Sequence, residues 1–189
     1  GFYEEFSGGI LYDGRPVHSI PLQDRRLGFV YQDFGLFPHM KVRANIEYGL
    51  RIKGMKRAAC EEKSRNMMEL LGICHLADRY PGTLSGGEQQ RTALARALIV
   101  DPRILFMDEP FSALDPNTKK QMYGLVREIH QLFGCTIVFV THDFHEAEKL
   151  ADRTAVIIGG RVRRICDSRQ LFLEKEDREV MEFLGITAG

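Results

Sequence analysis

The chain has 189 residues, 44% of them apolar and 28% charged, and its 26 basic residues balance its 26 acidic ones. That composition describes a globular chain with a real core rather than a disordered one, and the missing basic excess argues against a general nucleic-acid binder. Apolar runs such as Ile137-Val138-Phe139-Val140 fall far short of the ~20 residues that span a bilayer, and Glu4 and Glu5 stand where a secretory leader would be basic and then apolar.

Cysteine and histidine usage is bland. Cys60, Cys74, Cys135 and Cys166 are widely spaced with no CxxC pair, which reads as scattered reduced thiols and not as a disulfide framework or zinc site. His142 and His145 lie three apart, but no third ligand is near them in sequence.

In chain order, Gly9–Tyr12 and Arg15–Val17 flank Asp13-Gly14, a two-residue hairpin signal. Leu27–Tyr31 is a short apolar strand ending at Gln32, and Asp33–Pro38 is a Gly- and Pro-punctuated loop with exposed-looking Phe34, Leu36 and Phe37. Residues 42 to 77 read as helical, interrupted at Gly54; Cys60, Met67, Leu70 and Leu71 recur among charges as an amphipathic face. From there strands and helices alternate: helix Gly86–Ile99, strand Arg103–Asp108, helix Pro116–Phe133 stopped at Gly134, strand Thr136–Thr141, helix Phe144–Ala151, and a final hairpin of Thr154–Ile158 and Arg161–Ile165 around Gly159-Gly160. Uniformly apolar strands between helices predict a parallel sheet covered on both faces. Residues 33 to 85 form a mainly helical insertion.

Two strings carry chemistry. In Leu84-Ser85-Gly86-Gly87-Glu88-Gln89-Gln90-Arg91, Ser85 and Glu88 form a capping box, so a helix begins there. Gly86 and Gly87 strip side chains from its first turn and leave N–H groups bare at the positive helix end, which suits an anion; Ser85 can add a hydroxyl donor. A capped surface helix is the plainer reading of a lone SxxE, but not of the whole string. In Arg103–Pro110 a buried strand delivers Asp108 and Glu109 at its C-terminal end, where open α/β sheets bind ligands. Strand alternation predicts that the two carboxylates point to opposite sides. Asp108 suits the magnesium of a nucleotide and Glu109 the polarising of a water; alone, a strand ending in two acids would be merely solvated.

The order of Gln32, Ser85, Asp108-Glu109, Ser112-Ala113-Leu114-Asp115 and His142 resembles the nucleotide-binding subunit of ATP-binding cassette (ABC) transporters, over Gly9 to about Ile165. By that resemblance Gln32 is the Q-loop glutamine, Leu84–Gln90 the signature motif, residues 104 to 109 Walker B, Ser112–Asp115 the D-loop and His142 the switch histidine. The resemblance implies an α/β fold with a P-loop NTPase-like parallel sheet, antiparallel β segments and a helical insertion (33 to 85) carrying the signature motif, all within one partial domain over residues 1 to 189. No G-x-x-x-x-G-K-[ST] string occurs, so an N-terminal truncation just past the Walker A helix is expected, with an incomplete core.

The implied function is an ATP-hydrolysing subunit of an importer. Glu109, His142, Gln32 and Asp115 serve catalysis, Ser85, Gly86, Gly87 and Glu88 face the nucleotide, and Asp108 and Gln32 hold Mg2+. Implied partners are transmembrane permease subunits and a second copy arranged head to tail at the cytoplasmic face of the membrane, with no nucleic acid. Tyr31–His39 looks like importer subunits, particularly those for oxyanions, metals, polyamines and sugars, of which an oxyanion or a metal is weakly favoured. Phe34, Leu36, Phe37, Pro38, Met40 and Val42 read equally, from physics alone, as a groove for a permease helix or as ordinary burial, and the resemblance of Tyr31–His39 favours the groove. Two rivals stand beside this: a DNA-repair or chromosome ATPase, for whose coiled coil the Gln32–Ser85 interval leaves no room, and a non-catalytic dimerisation or regulatory module, which the missing P-loop favours for this chain alone.

Overall fold

The computed structural model describes residues 7–173 and 177–186. Every helix and strand expected from the sequence is present, with ends displaced by a residue or two. A small antiparallel pair, β1 (Leu11–Tyr12) and β2 (Arg15–Pro16), turns at Asp13-Gly14. Strand β3 (Leu27–Val30) leads through a loop into α1 (Val42–Ile52) and α2 (Arg57–Leu70). Next come α3 (Gly86–Leu98), β4 (Ile104–Asp108), α4 (Pro116–Phe133), β5 (Thr136–Val140) and α5 (Phe144–Leu150). The antiparallel hairpin β6 (Arg153–Ile158) and β7 (Arg161–Asp167) and a short α6 (Arg178–Leu184), which the sequence reading did not include, complete the order.

β3, β4 and β5 form a parallel sheet in that order, with Gly28, Leu105 and Ile137 in register. One face carries Val30, Leu105 and Met107, all buried, and packs into a single core with Val42, Ile46 and Leu50 of α1, Met67 and Met68 of α2, and Ala93, Leu94, Ala97 and Leu98 of α3. The insertion and the sheet therefore share one core. Gly28 is required by the approach of α3: a Cβ there would lie 3.1 Å from the Ala97 carbonyl oxygen and from Leu105 Cδ1.

The opposite face corrects the expectation of a sheet covered on both sides. Pleating places Phe29, Phe106 and Val138 side by side on it. Phe29 and Val138 are 46% and 43% exposed and Val140 is 61% exposed. Among the described residues nothing covers them, and the rings satisfy one another instead: Phe29 stacks on Phe106 at 4.9 Å and on Tyr31 at 5.9 Å. Beyond β5, a cleft of about 760 Å³ separates Ile137 and Phe139 from Arg153 and Asp167 of the hairpin, so β5 has an unpaired outer edge among the described strands.

The loop after Gln32 is also corrected. Phe34 is buried and Val42 fully so, Leu36, Phe37 and Met40 are half-buried and of these six only Pro38 is exposed, so Phe34 does not belong to an exposed patch. Phe34 and Gly35 both take left-handed backbone, and Asp33 Oδ1 accepts the Gly35 N–H at 3.1 Å. Arg96 of α3 donates to the Phe34 and Gly35 carbonyls and lies over the Phe37 ring. Fully buried Asn45 accepts from Phe37 N at 2.8 Å and donates to the Phe37 and Met40 carbonyls. No helix among the described residues is long and apolar enough to cross a membrane.

Candidate active site

The C-terminal ends of β3, β4 and β5 converge at one edge, and the residues singled out from sequence sit there or next to it. Gln32 and Asp108, both exposed, line a shallow depression of about 410 Å³ with Tyr31 and Asp33. The in-register pairing of β3 with β4 places them together.

Glu109 does not follow the alternation expected of a strand residue. It lies just past β4 in a left-handed conformation, φ +41°, which costs a non-glycine residue roughly 1–3 kcal/mol. Its surroundings hold it there. The Glu109 N–H donates to the Val140 carbonyl at 3.0 Å, and its own carbonyl accepts from the Ser112 N–H at 3.2 Å and the Ser112 hydroxyl at 3.0 Å. The twist re-aims the carboxylate toward β5, where its Oε2 lies 3.2 Å from His142 Nδ1. Glu109 and His142 are thus brought together from two strands, while Asp108 is left facing the depression.

The turn at Ser85 is built locally. The Ser85 hydroxyl and backbone N–H both donate to Glu88 Oε2, and Ser85 Oγ accepts the Glu88 N–H, completing the capping box of α3. The hydroxyl expected as a free donor is therefore spent on Glu88. These bonds, the backbone N–H first, hold the Glu88 carboxyl below its ordinary value of 4.5. Neither Gly86 N–H nor Gly87 N–H finds a partner among the described residues. The glycines also answer to packing: a Cβ on Gly87 would lie 2.8 Å from Thr118 Cγ2, so the turn nests against the start of α4.

Asp115 is the N-cap of α4. Its Oδ1 accepts from Asn117 N and Thr118 N and its Oδ2 from the Thr118 hydroxyl, which lowers the Asp115 carboxyl pKa chiefly through that hydroxyl. Buried Gln90 of α3 donates its amide to the Pro110 carbonyl, tying α3 to the turn that carries Glu109. Gln90 lay inside a string read for its helix start, and nothing local marked it as a tether.

Two further groups were missed. Asn45 anchors the loop after Gln32, as described above. Glu146, only 3% exposed, gathers Tyr123, Lys119 and Thr141 around its carboxylate. The signal for Glu146 was Asp143-x-x-Glu146, a capping-box spacing, but that pattern predicts an exposed helix start rather than a buried carboxylate. Among the described residues no cluster of three or more His, Cys, Asp or Glu side chains is placed to hold a metal ion. Asp108 beside Gln32 does suit a cation that arrives on a phosphate, since Mg2+ keeps most of its waters and needs only one or two protein oxygens.

A parallel sheet with carboxylate and imidazole at its C-terminal edge, next to a helix whose bare N-terminus faces outward, is the layout of a phosphate-handling α/β domain. Residues 1–112 match the family described as ABC transporter, and the chain belongs to that family. It is 42% identical over 98% of its length to the sulfate/thiosulfate import ATP-binding protein CysA of Shigella flexneri. It is 43% identical over 94% of its length to the molybdate/tungstate import ATP-binding protein WtpC of Pyrococcus horikoshii. In both cases 52% of the relative is covered, so the chain spans about half the length of the curated relatives it matches.

Proposed function

We propose that this chain supplies the hydrolytic and signature elements of the ATP-binding subunit of an oxyanion importer, working at the cytoplasmic face of a membrane against permease subunits. The observation that carries the reading is the Glu109 carboxylate held 3.2 Å from His142 Nδ1 at the sheet edge, beside Asp108. The sulfate/thiosulfate and molybdate/tungstate named for the relatives support the substrate class. The residual apolar exposure of Tyr48 and Ile52 on α1, 40% and 69%, supports permease contact by the insertion.

In this reading ATP lies between the depression of one copy and the Ser85–Glu88 turn of a second copy arranged head to tail. The bare Gly86 and Gly87 N–H groups donate to the γ-phosphate, aided by the α3 dipole. Asp108, with Gln32, would hold a Mg2+ ion brought by the nucleotide, and that ion would supply neutralisation of phosphate charge. Glu109 accepts a hydrogen bond from the attacking water and orients it in line with the leaving oxygen. His142 keeps the carboxylate aimed and stabilises developing charge, and Asp115 lies at the seam between the two copies.

The phosphate-cradling loop is not in this sequence. The apolar exposure of Phe29, Val138 and Val140 and the unpaired outer edge of β5 among the described strands are features that a strand and helix bearing such a loop would cover. ATP turnover is therefore expected only when the chain is joined to a Walker A segment, for instance the corresponding segment of the CysA relative. In that joined protein Glu109→Gln should lower turnover by about 10²–10⁴-fold. Unchanged turnover would remove Glu109 from the mechanism; no turnover in any joined form would favour a non-catalytic module.

A further inference from the structure

Glu146 is a buried carboxylate that the hydrolytic scheme above does not use. A carboxylate this deep is retained only when its charge and its oxygens are all answered. Here they are: Oε1 takes the Lys119 ammonium at 2.8 Å and the Tyr123 hydroxyl at 3.2 Å, and Oε2 takes the Thr141 hydroxyl at 2.5 Å. Lys119 also reaches Asp143 at 3.7 Å. Lys119 and Tyr123 project from α4, Glu146 from α5, and Thr141 from the loop between β5 and α5.

His142 sits between two of these fastened residues. The Thr141 oxygen that donates to Glu146 also accepts the Asp143 N–H at 3.0 Å, so the backbone is pinned on both sides of His142. The imidazole itself is 72% exposed, and among the described residues its one polar contact is Glu109. A ring this exposed has no packing to orient it, so its aim is set by the backbone that carries it.

The contacts close a loop through the fold. Glu109 is bonded to Ser112, and the turn it begins ends at Asp115, the cap of α4. Buried Phe111 in that turn meets the Tyr123 ring edge-on at 4.9 Å. Tyr123 and Lys119 meet Glu146, Glu146 meets Thr141, and His142 returns to Glu109. We propose that Glu146 is a positioning residue that fastens the His142 loop to α4 and so sets the approach of His142 to Glu109. Consistent with a shared buried charge, the hydrogen bond to Glu146 raises the Lys119 pKa, and burial followed by the charge of Glu146 raises that of the Tyr123 hydroxyl. The catalytic meaning of this device rests on the reading of Glu109 and His142 given above; its geometry does not.

The test is the 15N shift of His142 Nδ1, read by long-range 1H–15N correlation in the 189-residue chain with 15N-labelled histidine and assigned through His142→Asn. Glu109→Ala fixes the shift of a ring without its carboxylate. Glu146→Ala and Thr141→Val should each move the wild-type shift more than halfway toward that value. Thr141→Val keeps the buried Glu146–Lys119–Tyr123 contacts, and it decides the matter if Glu146→Ala does not fold. A wild-type His142 shift in Thr141→Val, or in a folded Glu146→Ala whose melting temperature has merely fallen, would reduce Glu146 to a packing role and overturn the proposal. Because the readout needs no nucleotide, its failure is distinct from a failure of Glu109→Gln to affect turnover.

Discussion

The Ser85 turn and the Glu109–His142 corner are two charged sites assembled by opposite means. At Ser85 the serine, the glutamate and the helix they cap lie within one turn of chain, and the hydrogen bonds span three residues. At Glu109 a left-handed residue, a neighbouring strand and a pinned loop must all be in place before carboxylate and imidazole meet. The first site forms wherever its helix forms; the second exists only when the sheet is intact. Damage to the core should therefore disturb Glu109 and His142 well before it disturbs Ser85.

The largest effects should fall on the long-range corner. In the protein joined to a Walker A segment, His142→Ala should lower turnover by about 10²–10³-fold, as expected for loss of one group that stabilises developing charge. Steady-state phosphate release measures it, and a loss below tenfold would dissolve the pairing with Glu109. Leu105→Ala, beneath the same edge and fully buried, should cost about 2–5 kcal/mol in chemical denaturation. Val138→Thr, on the same sheet but its bare face, should stay within about 0.5 kcal/mol in this chain. Equal costs would mean that the outer face is covered.

Smaller effects belong to the local site. Gly87→Ala should cost about 1–3 kcal/mol by crowding Thr118, whose rotation is hindered by its bond to Asp115. Thr118→Ser removes the crowding methyl and should restore most of the loss in the double variant. Ser85→Ala should cost about 1 kcal/mol by unmaking the cap, with the NMR signals of Glu109 and His142 unmoved.

The smallest effect is a pH dependence. Glu88 is depressed in the folded state, so its stabilising contribution is fully present above its ordinary value of 4.5 and is lost as pH falls through the lower folded value. Glu88→Gln should flatten that part of the acid limb in urea titrations. An unchanged limb would show that the capping box contributes nothing ionic.

The same division explains what could be read from the sequence. Elements were legible because their signals are local: Asp13-Gly14 for a turn, Ser85-x-x-Glu88 for a helix start, apolar runs for β4 and β5. The site residues owed their roles to the order of motifs, a resemblance that needs no distances. The twist at Glu109 was not legible, because strand alternation is the rule and the left-handed departure is imposed by Val140 and Ser112. Glu146 and Asn45 escaped for the same reason, their partners being set by packing. The bare sheet face escaped because Phe29, Phe106 and Val138 are as apolar as the residues that are buried.

The central claim is that Glu109 activates the water that attacks ATP. The most direct measurement is the identity of the nucleotide retained by Glu109→Gln in the protein joined to a Walker A segment, after incubation with ATP and Mg2+ and separation by size. Unhydrolysed ATP held in a species of twice the protomer mass is the predicted result. ADP released at the rate of the unsubstituted protein would contradict it.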